Sequence, residues 1–195
     1  MPRIRPLRPD EVSPETQAVF DRLYAQRGAL PNMFRTMALR PEIMATAEAH
    51  MNAVFQTGTV DPRLKEMLAV RVSQINDCMY CCASHTALAK SLGASEELLD
   101  AMYNIDQHEE MFSPAERAAL ALAERMTTDA QSVGEDIWAD LKANFDDGQI
   151  VEVAAVIGLF NYFNRFNDAL RIDVTQPGMP MDEIDAKGDV GEENT

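Results

Sequence analysis

An all-α fold is predicted for this 195-residue chain by three observations. Apolar residues recur at helical spacing through most of residues 13–172. No segment alternates apolar and polar residues as a half-buried strand does. Helix-start signals, Ser or Asp followed by Pro, punctuate the apolar runs.

The elements follow in order. Residues 1–12 carry Arg3, Arg5 and Arg8 among prolines and read as an extended arm over the domain or a neighbouring subunit. Ser13-Pro14-Glu15 starts a helix through Val19, Phe20 and Leu23 that Gly28 closes. Pro31-Asn32-Met33-Phe34 opens a short helix ended by Pro41, and a longer one follows through Met44, Ala47, Met51, Val54 and Phe55 to Gly58. Asp61-Pro62 starts a helix bearing Glu66, whose residues Leu64, Met67, Leu68, Val70 and Val72 predict burial on most sides. Asn76 and Asp77 are cap-type residues, placing Cys78 and Cys81 on the first turns of a helix running to about Leu92. After Gly93, Ser95-Glu96-Glu97 and Ser113-Pro114-Ala115-Glu116 are further capped starts. Helices over 134–145, with Ile137, Trp138, Leu141 and Phe145, and over 147–171, with Phe160, Tyr162, Phe163 and Phe166, complete the set.

This organisation divides the chain into an arm at 1–12, a helical domain at 13–172 and an acidic flexible tail at 173–195. Within the domain a weak repeat pairs Asp61 with Asp147, Glu66 with Glu152, and Ala69-Val70 with Ala155-Val156. Two related helical halves are expected, a catalytic one at 13–105 and a degenerate one at 113–172. Asn164, Asn167 and Arg171 stand in the second where Cys78, Cys81 and His85 stand in the first. Glu152 is expected to be an echo of Glu66, buried against Arg165 or Arg171.

A net charge of −15 makes nucleic acid and anionic membranes improbable partners. No segment has the roughly 20 apolar residues that span a bilayer, and the start lacks an apolar signal region, so a cytoplasmic protein is expected. Three cysteines within five positions cannot build a distributed disulfide framework; they point to redox or metal chemistry in a reducing compartment.

The chemistry concentrates in Cys78-x-x-Cys81-x-x-x-His85, with Glu66 on the preceding helix. At about 100° per residue the two cysteines and the histidine share a helix face. A helix N-terminus favours a thiolate, and an imidazole one turn on can take or pass its proton. A chain reversal would bring Glu66 beside His85. A thiolate that attacks an O–O bond becomes a sulfenic acid, which a second thiol converts to a disulfide. Zinc is the competing use of such residues, but compact zinc sites draw a second ligand pair from elsewhere in the chain, so no metal and no cofactor are expected. Cys82 reads as packing, His50 and His108 as surface or helix-face histidines, and the methionines and the cluster Phe160, Tyr162, Phe163 and Phe166 as core or subunit interface, with a pocket wall as the alternative for some.

The spacing Glu66, eleven residues, Cys78-x-x-Cys81, three residues, His85 resembles the signature of the alkylhydroperoxidase D-like branch of the carboxymuconolactone decarboxylase family. Leu30 to Arg35 and Asn161 to Asn167 resemble segments of its longer members. The resemblance implies a helical bundle of the alkylhydroperoxidase D-like type, assembled as a homo-oligomer such as a trimer or hexamer. It implies a thiol-dependent hydroperoxide reductase cycling through a Cys78–Cys81 disulfide, with Cys81 peroxidatic, Cys78 resolving, and Glu66 and His85 relaying protons. Its partners would be a small hydroperoxide and a dithiol protein or lipoyl-type donor. Alkylhydroperoxidase D has a histidine before its second cysteine; here Tyr80 stands there and is expected to orient a hydrogen bond as an auxiliary group. The alternatives are a lactone enzyme of the decarboxylase type, which needs no cysteine pair, and a non-catalytic redox-sensing oligomer.

Overall fold

A computed structural model of the chain describes residues 1–184. The described residues are helical, with no strand, and nine α-helices succeed one another. These are α1 (Pro14–Arg27), α2 (Asn32–Met37), α3 (Pro41–Gln56), α4 (Pro62–Ile75), α5 (Met79–Ser91), α6 (Glu96–Ala101), α7 (Pro114–Asp129), α8 (Glu135–Asn144) and α9 (Asp147–Leu170). Short 3-10 turns occupy Pro9–Glu11, Met102–Gln107, Glu109–Met111, Ala130–Ser132 and Met181–Glu183. No helix among the described residues is long and apolar enough to cross a membrane.

The boundaries follow the predicted start and stop chemistry. Ser13 accepts from the Thr16 N–H, Asp61 from the Arg63 N–H and Ser95 from the Leu98 N–H, each satisfying a first-turn donor that has no helical partner. Ser113 and Glu116 form a reciprocal capping box at α7. Gly28 closes α1 at φ 66°, in the left-handed region where a Cβ is costly.

The chain clusters into two compact units, Met1–Met51 with Phe166–Thr195, and Asn52–Arg165. In the first unit α1 buries Phe20 and Leu23, α2 buries Met33, Phe34 and Met37, and α3 contributes Met44 and Ala47. Arg35 is fully buried there; its guanidinium donates to the Leu7 carbonyl at 2.9 Å and to Asn32 Oδ1 at 2.7 Å. The N-terminal arm lies within this unit. Arg3 donates its N–H to the Leu170 carbonyl at 2.9 Å and its Nη1 to the Ala169 carbonyl at 2.8 Å, meeting the negative end of α9 with a cation. Residues 173–184 are tied down as well. Asn32 Nδ2 donates to the Asp173 carbonyl, the Asn32 N–H to Thr175 Oγ1 and the Gly178 N–H to the Gly28 carbonyl. The remainder of the acidic tail expected at 173–195 lies outside the described residues.

The second unit is centred on α4, which packs against α5 and α7, while α7 packs against α8. As its sequence predicts, α4 is buried on most sides, with Met67, Leu68, Ala69 and Val72 at zero exposure. Its Lys65 is also buried, and the three ammonium hydrogens have three acceptors: the Val54 carbonyl at 2.9 Å, the Thr57 carbonyl at 2.7 Å and Glu152 Oε2 at 2.9 Å. Glu152 also accepts from the N–H groups of Thr59 and Val60, at 2.9 and 3.1 Å. Its partners are therefore Lys65 and the loop before α4, not Arg165 or Arg171, because its place on the first turns of α9 faces that loop. Gly58 takes φ 84° in this loop, and a side chain there would collide with the Glu152 carboxylate.

The repeat stops short of the cysteine turn. The chain breaks between α4 and α5 at 76–78, whereas α9 runs unbroken through the matching positions 162–164. The second segment has no turn that would present side chains as Cys78 is presented.

Candidate active site

The site lies in the second unit, where the turn after α4 leads into α5. Asn76 is the C-cap of α4, and Asp77 adopts φ 57°, a left-handed conformation that a short polar residue tolerates better than most. Cys78 follows as the N-cap of α5, so it stands before the first turn rather than on it. The expected Asn76/Asp77 cap is replaced because the left-handed Asp77 reverses the chain one residue later than its cap propensity suggests. The Cys78 N–H donates to the Ser73 carbonyl at 2.9 Å, and its own carbonyl accepts the first helical bond, from Cys82, at 3.0 Å.

Cys81 is the third residue of α5 and His85 lies one turn further on, where i,i+4 side chains are neighbours. Cys78, Cys81, Tyr80 and His85 are buried, and Cys82 is half-buried. A sulfur in the first turn lies where backbone N–H groups and the helix dipole favour a thiolate.

Packing of α4 on α5 brings Glu66 to His85 across 19 residues of sequence, with Nδ1 and Oε2 2.6 Å apart. Glu66 and His85 are only 7% and 8% exposed, so this charge-assisted contact is formed largely out of water, where it is stronger. With an ionised carboxylate accepting, Nδ1 donates and Nε2 is the ring nitrogen that Glu66 leaves open.

Apolar rings surround the imidazole. Phe160 of α9 meets His85 edge-on, centroids 4.5 Å apart at 86°, and half-buried Phe55 lies 6.1 Å away. Phe55 and Phe160 contact each other at 5.9 Å, and Phe163 extends the cluster from Phe160 at 6.1 Å. Helical spacing marked these rings as core or interface; that two of them adjoin the histidine depends on α3 and α9 converging on α5, which no local pattern encodes.

All four members of the Glu66, Cys78, Cys81, His85 set thus lie on the α4–α5 pair, and Glu66 touches His85. His50 is exposed and His108 half-buried, as surface histidines are. No group of three or more His, Cys, Asp or Glu side chains among the described residues is arranged to hold a metal ion.

Comparison with known proteins agrees with this architecture. The profile of the carboxymuconolactone decarboxylase family matches residues 41–125, from α3 through most of α7. Protein YnjA of Escherichia coli (strain K12) is 32% identical over 114 residues, 58% of this chain; the match spans 62% of YnjA. A solved peroxidase-related protein from Silicibacter sp. TM1040 is 26% identical, with TM-score 0.76, covering 85% of this chain and 86% of that one. An alkylhydroperoxidase AhpD core structure from Ralstonia eutropha JMP134 has TM-score 0.79 at 22% identity, covering 89% and 92%. The fold is the helical bundle of the alkylhydroperoxidase D core. Residues 41–125 thus match the model of the carboxymuconolactone decarboxylase family, and the chain shares its fold with solved peroxidase-related and alkylhydroperoxidase-core proteins.

Proposed function

We propose that the protein is a thiol-dependent hydroperoxide reductase that cycles through a Cys78–Cys81 disulfide. The observation that carries the reading is the buried 2.6 Å contact between Glu66 and His85, one turn from Cys81, with a second cysteine at the cap of the same helix. A lactone enzyme has no use for two sulfurs so placed.

The Cys81 thiolate attacks the terminal oxygen of the hydroperoxide. The O–O bond breaks, sulfur is oxidised to a sulfenic acid, and the departing alkoxide takes a proton from His85 Nε2–H. Glu66 holds the ring through Nδ1 and stabilises it when it is charged. The Cys78 thiol then displaces hydroxide from the Cys81 sulfur; with one proton returned, the products are a disulfide and water. A dithiol protein or lipoyl-type donor restores both thiols by exchange, its own pair becoming oxidised. Phe55 and Phe160 line the imidazole with apolar surface, suiting an organic hydroperoxide.

The test is consumption of an alkyl hydroperoxide with a dithiol reductant, alongside mass spectrometry of the Cys78–Cys82 peptide. Cys81→Ser is expected to abolish turnover, and Cys78→Ser to leave one trappable sulfenic acid. Full activity in Cys81→Ser overturns the assignment. Oxidation without turnover indicates a redox sensor, and activity indifferent to thiol blocking a lactone-type enzyme.

A further inference from the structure

The steps above leave unused a polar group that joins both ends of the cysteine turn to α9. Asn164 is completely buried in α9, yet it carries an amide rather than an apolar side chain. Its Oδ1 accepts from Asn76 Nδ2 at 2.9 Å, and its Nδ2 donates to Ser73 Oγ at 3.1 Å. The second hydrogen of the Asn76 amide goes to Asn161 Oδ1 at 3.1 Å. Asn161 is itself fixed, donating to Thr127 Oγ1 at 3.0 Å and to the Ile157 carbonyl at 3.1 Å while accepting from Arg165 Nη1 at 2.6 Å.

Residues 73 and 76 both bear on where Cys78 stands. The Ser73 carbonyl receives the Cys78 N–H, and Asn76 precedes the left-handed Asp77 that turns the chain toward it. A left-handed non-glycine residue is strained by itself and persists when its surroundings over-determine it. One buried amide bridging residues 73 and 76 supplies that determination. An apolar side chain of the same size would fill the space without the cost of burying an amide, so the amide has a task beyond filling it.

We infer that Asn164 is a positioning residue for the sulfur pair: through Ser73 and Asn76 it holds the cysteine turn so that the Cys78 sulfur is presented to Cys81. This rests on the reading of the two cysteines as a redox pair, but the test needs no peroxide. With oxidised glutathione, the two thiols lose two electrons and two protons to form one disulfide, and the glutathione disulfide is split into two thiols.

The full chain, Asn164→Leu, Asn76→Ala and the double variant are compared by the rate of Cys78–Cys81 closure with oxidised glutathione and by the closure midpoint in a glutathione redox buffer. Circular dichroism gives helix content. Each single variant is expected to close at least about tenfold more slowly, since misplacing a reacting group by about 1 Å costs up to about 10²-fold. The midpoint should move toward the dithiol while helix content is retained. The double variant should lose less than the sum of the two singles, because both remove the Asn76–Asn164 bond while each removes one further bond of its own. Wild-type rates and midpoints in the variants, or fully additive losses, overturn the inference. If Asn164→Leu does not fold, half-exposed Asn76 carries the test alone. A wild type that closes with glutathione but consumes no hydroperoxide sinks the peroxidase reading and leaves this one standing. Peroxide turnover with unaltered closure in the variants does the reverse, and a wild-type pair that never closes overturns both.

Discussion

At the scale of single residues, chemistry depends on how few protons have somewhere to go. In the proposed cycle His85 would serve the sulfur through Nε2, because Nδ1 is held by Glu66. Glu66→Gln keeps the shape and removes the charge that stabilises a protonated ring, so kcat/KM for hydroperoxide is expected to fall about 10²-fold, the lower end of general acid–base effects. The Cys78–Cys81 redox midpoint should stay in place; steady-state kinetics and a glutathione titration separate the two. Phe160 is 1% exposed and packs on both His85 and Phe55. Phe160→Ala is expected to cost about 3–5 kcal/mol in urea unfolding, the range for emptying a large aromatic site. The four residues of the signature were legible in sequence because their spacing is local to two consecutive helices. Phe160 was not, because the ring that meets His85 comes from a helix whose apolar run offers several aromatics at equivalent spacing.

At the scale of elements, helix starts were read well because caps are short-range chemistry. Ser13, Asp61, Ser95 and Ser113 each accept the first-turn N–H that their position predicts. Ser113→Ala removes one half of the capping box at α7 and is expected to destabilise the protein by about 1 kcal/mol in urea unfolding, with no effect on thiol oxidation. The exception is the cysteine turn. Asn76 and Asp77 have equally good cap chemistry, but the choice passed to Cys78 once Asp77 turned left-handed and Asn76 was engaged by Asn161 and Asn164. Tertiary partners overrode a local preference at the one boundary where a sulfur is presented.

At the scale of the whole molecule, charge is the dominant variable. A chain of net charge −15 repels itself, so each cation that holds acidic groups together matters more than it would in a neutral protein. Lys65 is the buried example. Desolvation pushes the Glu152 carboxyl up, but the hydrogen bond from Lys65 and those from the Thr59 and Val60 N–H groups outweigh it and hold the group below its ordinary value. A carboxyl depressed by folding adds stability above its unfolded value, and loses it as pH falls through the lower folded value. Glu152→Gln is therefore expected to melt lower than the wild type at neutral pH, with the gap closing below pH 4.5. Equal differences at both pH values in thermal melts would count against the clasp. Sequence by itself determined the helical class, most of the helix starts and the spacing that sets Glu66, Cys78, Cys81 and His85 on two consecutive helices, because periodicity, caps and i,i+4 spacing are properties of contiguous chain. Only tertiary structure decided that Glu152 meets Lys65, that Phe160 meets His85 and that Asn164 grips the turn before Cys78. Each of those pairs is separated by at least 75 residues, and which faces converge is settled by packing, not by any pattern a single helix carries.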